Sequence, residues 1–169
     1  EEDNQNGLLN FMKPMPAQLQ DTTSPSSASD KPQPMVEGFD CWYDWRCENW
    51  STKWEVCEFY GVDRQHHEAG KSGLSLTSTI SFGFSSAWAP PINAYEKFLE
   101  NNSDCSVRAF YYEGGCDFMG EWRDGVDDCY APGDYKSTDD FWQDGVGSTL
   151  DDTFNITESM AEYEAEQEA

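Results

Sequence analysis

Basic residues are scarce: ten Lys and Arg stand against 33 Asp and Glu, for a formal charge of −23. Nucleic acid must be met by clustered cations and an anionic membrane by a basic amphipathic face, and neither is visible. No run of 18 apolar residues exists, so no membrane insertion by a spanning helix is expected. Histidine is limited to His66 and His67. Neighbouring side chains point in different directions and rarely chelate together, and two histidines leave little for His-based catalysis. The sequence lacks G-x-S-x-G, H-E-x-x-H, P-loop and dinucleotide fingerprints. Carboxylates are so abundant that pairs of them carry no information, and a core of about 120 residues has little surplus chain to wall a catalytic cleft. These absences point away from an enzyme.

Low apolar content, 37%, with high net charge lies where chain entropy defeats folding, yet aromatics make up 15% of the chain, with seven Trp, eight Tyr and ten Phe. A compact aromatic core between loose ends reconciles the two. Residues 1–35 are rich in Pro, Ser and Gln and hold no cysteine, which predicts a disordered linker or pro-segment. Residues 151–169 carry Asp152, Glu158, Glu162, Glu164, Glu166 and Glu168 with few bulky apolar residues, which predicts a solvated acidic tail, helical at most in part. The folded domain is expected over 36–150.

All six cysteines, Cys41, Cys47, Cys57, Cys105, Cys116 and Cys129, fall inside that domain. An even count at spacings longer than zinc C-x2–4-C pairs predicts a disulfide framework, hence an oxidising compartment. Three fall in each half, so complete pairing requires a bridge between halves. Glycosylation acceptors at Asn49, Asn101 and Asn155 also fit secretion. The chain opens at Glu1 without an apolar leader, as after removal of a signal peptide. The expected location is extracellular.

Strand signals outnumber helix signals. Leu74, Leu76, Ile80, Phe82 and Phe84 alternate with Ser and Thr, a period of two. Further strands are predicted over 107–112, 118–122 and around 53–60, separated by turns at Gly114-Gly115, Asp124-Gly125, Pro132-Gly133-Asp134 and Asp144-Gly145. One short helix should follow Pro90-Pro91, with Tyr95, Phe98 and Leu99 on a common face, and end near Asn101. The pattern predicts a mainly β fold, a small disulfide-bonded sandwich of Greek-key type.

The stretch from Val107 to Gly120 resembles the βγ-crystallin Greek-key motif, with Tyr112, Phe118 and Gly120 in the aromatic and aromatic-x-Gly roles, although the gap after Tyr112 is one residue long. Gln143-Asp144-Gly145-Val146-Gly147-Ser148 is similar to that family's later signature at Asp144 and Ser148 and departs at Gln143 and Gly147. Ser85 and Ser86 match it weakly in the first half. The resemblance is to secreted killer-toxin-like and effector-like members. It implies calcium at Asp144, with Asp139 and Asp140 nearby, while the missing hydroxyl at Gly147 removes one donor. The alternative is solvated surface acids and no cofactor.

Trp42, Trp45, Trp50 and Trp54 crowd into one segment. If it is a strand, alternate residues face opposite sides and some of these rings must be exposed, as binding surfaces for a protein or a glycan. The function expected is therefore a secreted, non-enzymatic binding protein, toxin-like or effector-like, for an extracellular protein or glycan. The rival reading is an acidic, calcium-dependent structural or matrix protein.

Overall fold

The structure, a computed structural model, describes residues 7–67 and 77–167. In chain order these form α1 (Leu8–Met12), α2 (Trp42–Trp50), β1 (Cys57–His67), β2 (Thr77–Ser85), α3 (Ile92–Asn101), β3 (Arg108–Glu113), β4 (Phe118–Arg123), β5 (Val126–Tyr130), α4 (Gly145–Phe154) and α5 (Ile156–Gln167), with short 3-10 turns between them. The chain divides into two compact units at Ala94 and Tyr95, within α3.

In the first unit, α2 is explained by the spacing of its aromatics. Trp42, Arg46 and Trp50 recur every four residues and so stack along one helical face. The Arg46 guanidinium lies 5.1 Å from the Trp42 ring and 5.0 Å from the Trp50 ring, a double cation–π contact. Burial pulls the Arg46 pKa down, and the Glu55 carboxylate opposes this. Trp45 and Trp50 are fully buried and meet edge to face at 5.8 Å. The helix ends at Ser51, whose left-handed φ of 63° stops it.

The expected disordered amino-terminal segment is, from residue 7, part of this core. Leu9, Met15 and Leu19 pack with Trp45, Trp50, Val56 and Ala94. Its backbone is pinned as well. The Leu9 and Asn10 amides donate to the Glu55 carboxylate at 2.7 and 3.0 Å, and the Trp50 indole donates to the Lys13 carbonyl at 2.8 Å. Thr22 Oγ1 accepts from the Trp42 amide at 2.8 Å. The strands β1 and β2 form an antiparallel ribbon in which Arg64 faces Ile80 and Tyr60 faces Gly83. The alternation read from Leu74 is realised from Thr77 onward; Leu74 and Leu76 lie outside the described residues.

In the second unit β3, β4 and β5 form an antiparallel meander in sequence order. Its core is Met119 from the sheet with Trp142, Leu150 and Ile156 from the chain that follows. The expected acidic tail thus contributes Ile156 to the core and is helical over α5.

The Greek-key sandwich is overturned. The protein is 39% helical and 25% strand, in separate sheets of two and three strands. The turn after Tyr112 closes a plain hairpin, with Glu113 opposite Phe118. The glycine at 120 is covered by Tyr111 rather than Tyr112; a Cβ there would meet the Tyr111 ring and the Asp128 carbonyl. The segment read as the later crystallin signature starts a helix, because the Asp144 side chain accepts from the Gly145 amide and caps α4.

The disulfide framework is corrected too, since all six cysteines are free thiols. Cys41 is the N-cap of α2 and Cys47 lies within it, about 9 Å along its axis and beyond disulfide reach. Cys57 opens β1. Cys116 sits in the β3–β4 turn, Cys105 precedes the far end of β3, and Cys129 faces Gly120. A six-residue strand of about 20 Å therefore lies between Cys105 and Cys116.

Candidate functional site

Five residues of the first unit assemble an aromatic platform. Past the end of α2, Thr52 is buried and its hydroxyl donates to the Ala87 carbonyl at 2.8 Å, tying the segment after α2 to the loop after β2. The Ser86 hydroxyl donates to the Ala89 carbonyl at 2.7 Å and tightens that loop. Between these anchors Trp88 is held at φ 68°, a left-handed conformation that a bulky side chain rarely adopts, with 69% of its surface exposed. Such a conformation costs about 1–3 kcal/mol and clusters at ligand-contacting sites. Trp54 is 55% exposed. The Lys53 ammonium lies over both indoles, 4.3 Å from the Trp54 centroid and 5.8 Å from that of Trp88. Arg46 reaches the Lys53 carbonyl, so the stacked core supports the platform from behind.

The arrangement offers two large apolar faces with a cationic donor between them. Indole faces stack on the C–H faces of sugars and on other planar groups, and the ammonium N–H groups supply directional contacts. Trp88 was not singled out by sequence, because a lone Trp before Pro90-Pro91 carries no periodic signal. The crowding around Trp54 did point to the segment.

The other residues read as binding candidates have different places. Trp45 and Trp50 are core, and Trp42 is half-buried against Arg46 with Tyr43 at 5.7 Å edge to face. Asp139, Asp140 and Asp144 are not brought together as a cation site. Asp139 accepts from the Lys136 amide at 2.9 Å, Asp140 begins a 3-10 turn, and Asp144 caps α4. Among the described residues, one trio of possible ligand groups converges, Asp40, Cys41 and Asp44. Its members already have partners: the Ser26 hydroxyl donates to Asp40 at 2.6 Å and the Cys41 thiol to Asp44 at 3.3 Å. His66 Nδ1 contacts Ser78 Oγ at 2.9 Å in the exposed ribbon, and the His67 side chain lies outside the described residues. The Asn101 and Asn155 acceptors are exposed at helix ends; Asn49 is half-buried and donates to the Trp45 carbonyl at 2.9 Å.

The second unit has a shallow cavity of about 240 Å3, lined by Glu96, Leu99, Glu100, Trp122, Asp124 and Gly125. Two of its carboxylates have structural partners. Glu100 pairs with Lys97 at 2.9 Å, while Asp124 accepts from Ser106 Oγ at 2.7 Å and the Val107 amide at 2.8 Å. These bonds, the Ser106 one foremost, hold the Asp124 carboxyl below the usual aspartate range. The stabilisation is therefore present at neutral pH and lost as acid carries the pH through the folded-state value. Asp124→Asn should flatten the acid limb of a thermal-stability profile against pH, and an unchanged limb would show that these bonds are energetically idle.

Comparison with family models, with curated proteins and with solved structures finds no match for this chain. The crystallin resemblance gains no support from them, and the platform must be read from its own chemistry.

Proposed function

We propose that the chain is a non-enzymatic recognition protein that binds neutral glycans through Trp54 and Trp88. The observation carrying this reading is Trp88 itself, a bulky ring kept exposed at a positive φ by two side-chain-to-backbone hydrogen bonds. A loop free of any such demand would be more stable with glycine there. A neutral ligand suits the charge of −23, which repels polyanions over distances of about 8 Å at physiological salt.

The test is a glycan array followed by calorimetry with the best ligand. Trp54→Ala and Trp88→Ala should each weaken binding about tenfold or more, since buried aromatic anchors contribute around 2 kcal/mol. Thermal stability should change little, because both rings are largely outside the core. A silent array with a protein captured through the same two tryptophans would replace the glycan by a protein partner. Full binding in the double variant would sink the platform.

A further inference from the structure

Resting on the glycan reading and naming the group it recognises, we infer that Trp54 and Trp88 form a seat for the quaternary ammonium of a phosphocholine substituent on that glycan. The Lys53 ammonium stands over both indoles, at 4.3 and 5.8 Å from their centroids, so the two faces converge on one point and a cation already occupies it. The frame around that point is fixed. The hydrogen bond from buried Thr52 to the Ala87 carbonyl joins the residues that precede Lys53 and Trp88, so the rings are placed before any ligand arrives.

Lysine is poorly matched to this seat. Its ammonium is compact and strongly hydrated, and among the described residues it makes no hydrogen bond and no ion pair. The water it sheds between the rings is replaced by π contacts alone. The left-handed conformation of Trp88 costs more than one cation–π contact returns at an exposed site, so Lys53 by itself does not account for the geometry. A trimethylammonium does. It has no N–H to leave unpaired, and its methyl groups bury apolar surface against both faces.

The displaced lysine selects the rest of the ligand. Its flexible four-carbon stem keeps the ammonium beside the seat, where two cations repel. A ligand whose ammonium is followed closely by an anion removes that conflict, because the displaced Lys53 pairs with the anion. Phosphocholine in phosphodiester linkage is such a group, with one charge of each sign. A glycan bearing it is neutral overall, the charge that a chain of −23 tolerates. The sugar that carries it lies against the indole surface left exposed on Trp54 and Trp88.

The test is calorimetry on the full chain at constant ionic strength, which holds fixed the general attraction of cations to a polyanion. The probes are glycerophosphocholine, its isostere with a tert-butyl group in place of the trimethylammonium, and choline. Glycerophosphocholine should bind the wild type about tenfold or more tighter than either of the others, which lack the cation or the anion. Trp54→Ala and Trp88→Ala should each weaken it about tenfold. Lys53→Ala should bind choline about threefold or more tighter than wild type and narrow the preference for glycerophosphocholine, a gain that a misfolded variant does not give. A phosphocholine-substituted saccharide should bind tighter than glycerophosphocholine, and phosphatidylcholine vesicles should not co-sediment the chain. An isostere that binds as well as glycerophosphocholine, no binding by either, a loss of choline affinity in Lys53→Ala, or capture by the vesicles would each overturn the inference. Unsubstituted glycans bound without any response to glycerophosphocholine would remove the seat and keep the glycan reading; a response to glycerophosphocholine with no gain from the attached sugar would remove the glycan reading and, with it, the glycan as carrier.

Discussion

Trp50→Ala should destabilise the amino-terminal unit by about 3–5 kcal/mol, a large share of the stability of a domain this size. The indole is fully buried and acts in three ways at once. It fills the space beside Trp45, stacks on the Arg46 guanidinium, and satisfies the Lys13 carbonyl through its N–H. Truncation leaves a cavity, a guanidinium with one aromatic face where it had two, and a carbonyl without its donor. Among the described residues the Arg46 Nε has no hydrogen-bond partner, so the site has little reserve. Trp50→Phe keeps most of the packing and loses the Lys13 bond, and should fall between the two. The readout is pulsed alkylation: Cys41 is fully buried in this unit, and its labelling should accelerate in proportion to unfolding. Labelling at the wild-type rate in Trp50→Ala would show that the stack contributes little.

Gly147→Ala should cost the second unit about 2–4 kcal/mol, although alanine is the better helix former by about 1 kcal/mol. Gly147 lies in the first turn of α4, where an added Cβ would overlap the backbone carbonyl of Phe141 and come within 2.8 Å of its ring. Backbone cannot retreat cheaply here. Phe141 is stacked on Tyr135 at 3.9 Å and meets Trp142 edge to face at 5.1 Å, so moving it disturbs the aromatic side of the core. Gly145→Ala makes the useful comparison. That glycine has φ 67° with nothing within 4 Å of its added Cβ, so its substitution costs only the left-handed strain of about 1–2 kcal/mol. Chemical denaturation of both variants should rank Gly147→Ala as the more damaging, and the reverse order would mean that Phe141 is free to move.

Local elements were legible where the residue pattern belongs to one structure alone. The alternation through Ile80, Phe82 and Phe84, the aromatic run before Gly114 and the amphipathic turn after Pro91 gave β2, β3 and α3 near their observed limits. Misreadings came where partners lie far away in sequence. The recurrence of Trp42, Arg46 and Trp50 at intervals of four is a helical signal, but counting only tryptophans hides it, since the middle member is an arginine. Leu8-Leu9-Asn10-Phe11-Met12 was visible as a short apolar cluster in a polar segment and read as inert, and Leu19 carried no signal, because the groove that takes them is built by α2 and Val56. Cysteine parity suggested bridges, whereas pairing depends on distances that no spacing encodes. The platform was half visible: Trp54 stood in an evident cluster, while Trp88 owes its role to a backbone angle.

The docking of α1 has a consequence during translation. The carboxylate that receives the Leu9 amide lies 46 residues downstream, so α1 emerges from the ribosome well before its acceptor does. At about 5–20 residues per second the gap lasts roughly 2–10 s. Throughout it, Leu8, Leu9 and Met12 wait without the core that later covers them, a natural handle for a holdase chaperone.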